Sequence, residues 1–282
     1  MPRPQLSSEQ AARKAIADRL GELRRDAGLT ATALAQLCGW STSKASRIER
    51  NLTRPSDTDI HAWCRACDAQ TEVADLIAAS RTADSMYREW RRVHRDGLKR
   101  RQRDDVPLYQ RTRHTRVYVS NVVPGLLQTQ PYAEALMSAI ADFEDVCNDA
   151  SEAAAARVER SRVLYDGSRR FAFLFEEDVL HHPWGGAEVM TGQLDAILAA
   201  MSLPNVSIGI IPRGTPRTMW TLEGFLIFGA EEVQVETLSA DLAISRPSEI
   251  STYLRAFERL AGMAVYGPGA RRLILSARPH SG

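Results

Sequence analysis

The sequence contains no apolar run approaching the roughly 18 residues that a membrane-spanning helix requires, which argues against a membrane-embedded chain. Its opening stretch, MPRPQLSSEQ, lacks the apolar centre of a secretory signal. Cysteine is scarce, with only Cys38, Cys64, Cys67 and Cys147. Without an export signal these are expected to be reduced thiols, so a disulfide framework is excluded and a cytoplasmic location is expected. Net charge is almost absent too. Lys+Arg total 36 against 35 Asp+Glu, leaving +1, too little for a polybasic coat or an acidic disordered chain. What remains, 44% apolar and 25% charged over 282 residues, is the composition of a globular protein of about two domains.

The near-neutral total conceals a split. Residues 1–116 carry 23 basic and 15 acidic residues, a net of +8, whereas residues 117–282 carry 13 and 20, a net of −7. Such asymmetry points to nucleic-acid contact by the basic half. Most of the excess lies in residues 81–116, with 12 basic against five acidic; residues 1–80 hold 11 against 10. The basic run reads either as a salt-dependent contribution to DNA affinity or as a segment docked on the acidic half.

Residues 1–80 read as short helices with little sign of strands. Leu20 and Leu23 share one face of a first helix that ends at Ala27-Gly28, where glycine suits the turn. Thr30 caps a second helix carrying Leu34 and Leu37, and Gly39 turns the chain. Ser41 caps a third helix running to about Arg50, and Pro55-Ser56 opens a fourth. In that fourth helix Ile60, Trp63, Cys64 and Cys67 lie at i, i+3, i+4 and i+7, the spacing of a buried stripe. The lone CxxC therefore reads as core. It lacks the second ligand pair of a zinc site, and no metal or cofactor is expected.

After residue 117 the pattern mixes helices, near 131–142, 150–166, 186–201 and 247–264, with strands at FAFLF, VSIGII, GFLIF and VQVETL. Consecutive strands after residue 205, joined by short turns, favour antiparallel pairing. The expected architecture is an all-α helix-turn-helix domain at 1–80, a basic helical connector at 81–116, and an α+β domain at 117–282 with a mainly antiparallel sheet.

The sharpest functional signal is RLGELRRDAGLTATALAQLCGWSTSKASRIERNLTRPS, whose helix–turn–helix spacing pivots on Gly39. In such a motif the second helix enters the major groove and its first residues meet base edges. Thr42, Ser43 and Arg47 then share the reading face, and Arg47 alone can grip guanine through two hydrogen bonds. Lys44, Arg50, Asn51 and Arg54 are placed for phosphates, as are the backbone N–H groups at the helix starts Thr30 and Ser41.

Leu23-Arg24, Gly28-Leu29-Thr30, Leu34-Ala35, Gly39, Ser46-Arg47-Ile48-Glu49 and Arg54-Pro55-Ser56 resemble the Xre (Cro/cI-like) helix-turn-helix family. The resemblance implies an ion pair between Arg24 and Glu49 that ties the first helix to the third. The family often has glutamine where this chain has Ala31, so that DNA contact is not expected here. Further on, Val122–Thr129 followed by Pro131-Tyr132-Ala133 is similar to the VPGLLQT signature of the actinobacterial WhiJ-like regulators. Arg157–Arg162, Glu177–Leu180, Gln193-Leu194 and Pro204–Val206 continue it. Such regulators are often encoded beside a small partner protein and treated as antitoxin-like, which implies such a partner here.

Enzyme chemistry finds little support. Glu176, Glu177 and Asp178, followed by His181 and His182, form a metal or acid–base candidate, but successive residues at a strand end point apart, and a solvated turn is expected. Gly185-Gly186 lacks the lysine and spacing of a phosphate loop. Trp184, Trp220, Phe225, Phe228 and Tyr253 are candidates to line an effector pocket, or simply to fill the core. The expectation is a sequence-specific transcription regulator that binds double-stranded DNA as a homodimer, its C-terminal domain sensing a small-molecule effector or a protein partner. The alternative is an antitoxin-like protein that binds a small partner and autoregulates its own operon.

Overall fold

The computed structural model describes residues 8–82, 87–89, 97–220 and 223–279. The chain divides into two compact units, Met1–Tyr87 with Ala243–Ile250, and Arg88–Leu242 with Ser251–Gly282.

The first unit holds five helices: α1 (Ser8–Asp26), α2 (Ala31–Leu37), α3 (Thr42–Glu49), α4 (Asp57–Ala66) and α5 (Val73–Thr82). Their starts follow from local chemistry. The hydroxyls of Thr30, Ser41 and Ser56 accept from the backbone N–H of Ala33, Lys44 and Asp59, and Asp59 returns a bond to the Ser56 N–H. Their ends are equally local. After α1, α2, α3 and α4 the chain passes through a left-handed residue, Gly28, Gly39, Asn51 and Asp68 in turn. At each end the two N–H groups that follow bond back to the last-turn carbonyls, as Gly39 to Gln36 at 3.1 Å and Trp40 to Ala35 at 2.7 Å. The helices enclose Ile16, Leu20, Leu23, Leu34, Ala35, Ala45, Ile48, Ile60 and Trp63. The predicted stripe on α4 is buried, and the Trp63 indole donates to the Leu20 carbonyl at 2.9 Å.

The rest of the chain runs β1 (Tyr87–Glu89), α6 (Leu98–Asp104), α7 (Val106–Arg111), β2 (His114–Val119), α8 (Gln130–Glu144), α9 (Ala150–Ser161), β3 (Arg170–Glu176), α10 (Ala187–Ala200), β4 (Val206–Ile211), β5 (Phe225–Phe228), β6 (Glu232–Glu236), β7 (Ala240–Ile244), α11 (Pro247–Ala261) and α12 (Gly267–Ser276). The strands form one sheet in the order β1-β7-β6-β5-β2-β3-β4. Its main core joins Phe171, Phe173, Phe175, Ile208 and Ile210 to Tyr132, Leu194, Ile197 and Ile274. A second cluster packs Leu98 of α6 against Ala133, Met137 and Ala141 of α8 and Ala150, Ala153 and Ala154 of α9. These alanines let the helix axes approach closely.

Two expectations are refined. The sheet is mixed: β2–β3 and β3–β4 are parallel, while β2–β5 and β5–β6 are antiparallel. The sheet is mainly antiparallel, as expected, and its parallel pairs run through β2 and β3; β2 was not marked as a strand by the sequence reading. The basic segment is also not a separate connector. Positions 83–86 and 90–96 lie outside the described residues, but from Leu98 onward it supplies α6, α7 and β2 to the second unit. Leu98, Arg101, Leu108 and Tyr109 are buried there, so the segment contributes core as well as charge.

Candidate nucleic-acid interface

The short helix α3 is held in place from two sides. Arg24 of α1 donates through Nε and Nη2 to the two Glu49 carboxylate oxygens at 3.1 and 2.6 Å. Its Nη1 donates to the Leu29 carbonyl at 2.6 Å, so one guanidinium also braces the turn into α2. The hydrogen bonds to Glu49 raise the Arg24 pKa above its ordinary value. On the other side Lys44 donates to Asp59 of α4 at 2.6 Å and lies 4.4 Å from the Trp40 ring centroid. Burial alone would raise the Asp59 pKa, but the Lys44 ammonium and the Ser56 cap outweigh it and hold it below the ordinary carboxylate range. Ala45 and Ile48 face the core between these two clamps.

The opposite face of α3 is open. Thr42, Ser43 and Arg47 are exposed, and Arg47 takes no side-chain partner among the described residues. The Ser41 hydroxyl caps the helix and lies 3.2 Å from that of Ser43. The predicted reading residues therefore share one face. Gln36 on α2 is exposed as well and was not singled out by the sequence reading; only its place on the solvent side of a known helix would have marked it.

The predicted phosphate contacts fare differently. Lys44 is engaged by Asp59, Arg50 donates to Ser46 Oγ at 3.0 Å, and Arg54 donates to the Ser80 carbonyl at the end of α5. Arg54 thus also braces the segment after α3 to α5. Asn51 is exposed, and its backbone supplies the left-handed turn after α3. The Thr30 hydroxyl is occupied with the Ala33 N–H.

In the second unit the VPGLLQT stretch is built into a buried polar knot. Gln193, fully buried, accepts from the Thr129 N–H at 2.8 Å and donates to the Leu127 carbonyl at 2.7 Å. Gln128 donates to the Val123 carbonyl at 2.7 Å and accepts from Arg157 at 2.6 Å. Gly125 lies beside the two guanidinium groups: a Cβ there would stand 3.4 Å from Arg160 and 3.9 Å from Arg157, ordinary contact distances. Arg157 also donates to Gln102 at 3.0 Å; burial, then its neighbour Arg160, lower its pKa to about 10. Nearby, Arg101 bonds Asp241 at 3.1 Å and shares Asp105 with Arg160.

The acidic triplet is not a solvated turn throughout. Glu176 is buried, accepts from the Tyr118 hydroxyl at 2.9 Å, and receives both Arg217 amino groups at 2.9 and 2.7 Å. Glu177 and Asp178 instead turn to the Arg213 backbone and side chain. The three successive carboxylates thus point to different partners. Of the five aromatics read as candidates for an effector pocket, several are core. Phe225 and Phe228 are core, packed on Tyr118 and Tyr109 respectively; Tyr253 covers Phe225 edge-on, Trp184 packs on the main core, and Trp220 is 68% exposed. Cys64 and Cys67 sit in the first core, where burial pushes both thiols up to about 11. Among the described residues no group of three or more His, Cys, Asp and Glu side chains is placed to hold a metal ion, and no helix is long and apolar enough to cross a membrane.

Comparison with known proteins agrees with this division. The family model described as a helix-turn-helix domain matches residues 15–77, covering α1 to α5. No curated protein matches the chain. Among solved structures, TrmBL2, an archaeal chromatin protein with a novel mode of DNA binding, aligns over 85% of this chain and 88% of its own at 12% identity and a TM-score of 0.33, a likeness too distant to bear on this chain. The family model described as "Domain of unknown function (DUF5753)" matches residues 102–276, more than half of the sequence, and the chain belongs to that family.

Proposed function

We propose that the chain is a sequence-specific transcription regulator that reads double-stranded DNA through α3, and that it acts as a homodimer on a two-fold operator. The observation that carries this reading is the exposed Thr42, Ser43 and Arg47 face on a helix clamped by Arg24–Glu49 and Lys44–Asp59. A reading helix needs this combination, since base contacts tolerate little motion. One eight-residue helix spans few base pairs, which favours paired half-sites. The second unit then serves ligand or partner recognition, and the reading gives the chain no reaction to catalyse. The resemblance of Leu20–Ser56 to the Xre reader and of Val122–Thr129 to the WhiJ-like signature supports this reading.

The test is a mobility-shift assay at fixed salt on operator fragments recovered by genome-wide mapping of bound sites. Arg47→Ala should relax preference at one base position by about 1–3 kcal/mol while leaving non-specific binding nearly intact. Full operator affinity and an unchanged preference in Arg47→Ala would overturn the groove assignment.

A further inference from the structure

An open groove of about 820 Å³ lies in the second unit, between α6–α7 on one side and α9 with the turn that follows it on the other. Its walls are apolar at Val106, Ala155, Ala156 and Val163, with the Tyr109 ring among them. The rim is charged, and most of its acids are already answered. Glu159 pairs with Arg162 at 2.9 Å, and Asp166 pairs with Arg169. Lys99 and Arg103, one helical turn apart on α6, make no side-chain bond among the described residues, against the single unpaired carboxylate of Glu152.

The floor is more positive still. The Arg160 side chain is 7% exposed, lies over the Tyr109 ring, and leaves its buried Nε without a partner among the described residues. Arg160 shares the Asp105 carboxylate with Arg101. Glu236, exposed, acts on this cluster from a distance. A buried guanidinium with a shared carboxylate and an unpartnered Nε favours an anion at the mouth.

We propose that this groove binds a small organic anion, a carboxylate or phosphate monoester on an apolar body. Lys99 and Arg103 would hold the charged end above the Arg160 floor, and the apolar walls would take the body. This matches the usual make-up of small-molecule sites, in which a few polar groups orient a ligand against an apolar lining. The inference rests on the groove alone and does not depend on DNA binding.

The experiment is a fluorescence titration of the full chain with 8-anilinonaphthalene-1-sulfonate, an apolar body with one fixed negative charge, at constant ionic strength. Saturable binding at one site is expected. Octanoate or hexyl phosphate should displace the probe, and whichever acts at lower concentration identifies the preferred head group. The double variant Lys99→Gln/Arg103→Gln, whose changes lie on the exposed rim, should bind the probe about tenfold more weakly. Arg160→Gln should abolish binding, with circular dichroism confirming that it folds; should it not fold, the rim variant carries the test. Unchanged affinity in the rim variant, or displacement by neutral octanol as effective as by octanoate, would overturn the proposal.

Discussion

The Arg24 guanidinium and the Glu49 carboxylate lie side by side, joined by two hydrogen bonds of 3.1 and 2.6 Å, with side chains only 15% and 20% exposed. The pair fixes the C-terminal end of α3 to α1. Because the fork geometry does the holding, Arg24→Lys keeps the charge and loses the clamp. It should cost about 1–2 kcal/mol in urea unfolding and reduce operator affinity further than that loss explains. A cycle with Glu49→Gln checks it, since purely additive effects would deny the coupling. Gly21→Ala offers a gentler probe, as its new methyl would stand 2.9 Å from Glu49 Oε1 and push the carboxylate aside.

Arg101, part of the basic run that the sequence left open between DNA contact and docking on the acidic half, is 5% exposed and bonded to Asp105 and Asp241. Arg101→Met should destabilise the second unit by about 3–5 kcal/mol, because the buried carboxylates of Asp105 and Asp241 would each lose a cation. Arg100→Gln, at an exposed position, should change stability by less than about 0.5 kcal/mol. Thermal unfolding followed by circular dichroism separates the two. Equal melting temperatures would return Arg101 to the surface.

Gln193 serves the first turn of α8 and the turn before it with its two amide atoms. Gln193→Leu, similar in volume, leaves the Thr129 N–H and the Leu127 carbonyl unpaired in the interior. A loss of about 2–4 kcal/mol is expected, with the helix content nearly unchanged. An unaltered urea midpoint would show that the knot around VPGLLQT is dispensable.

Burial raises Cys64 and Cys67 to about 11, above the ordinary thiol value of 9.0. The folded state thus holds these protons more tightly than the unfolded state. Their contribution to stability is complete below about pH 9 and is lost as pH rises through about 11. At pH 8 a thiol reagent should modify exposed Cys147 quickly, and Cys64 and Cys67 only on unfolding. Rapid modification of all the thiols in the native protein would contradict this burial.

Much of the first unit was legible because its signals are local. Thr30, Ser41 and Ser56 cap helices through N–H groups three residues away, and Gly28 and Gly39 turn the chain where they stand. The left-handed turns at Asn51 and Asp68 were harder to see, since those residues adopt that conformation without requiring it. That Thr42, Ser43 and Arg47 share an exposed face of α3 followed from the helical spacing. The fate of Arg54 did not, because the Ser80 carbonyl lies 26 residues away.

In the second unit the sequence by itself determined which segments would be helix or strand over most of the length, and it marked VPGLLQT as unusual. Only the tertiary structure decided what those segments meet. β2 was hidden in a basic run, yet it is the strand on which parallel and antiparallel pairing meet. The run itself divides, with Arg101 drawn inward to Asp241, 140 residues on, and Lys99 and Arg103 left at the groove. Caps, turns and periodicity act over a few residues and are written in order along the chain. Strand partners and buried ion pairs depend on which distant groups share a low-dielectric interior, and that neighbourhood exists only once the chain has folded.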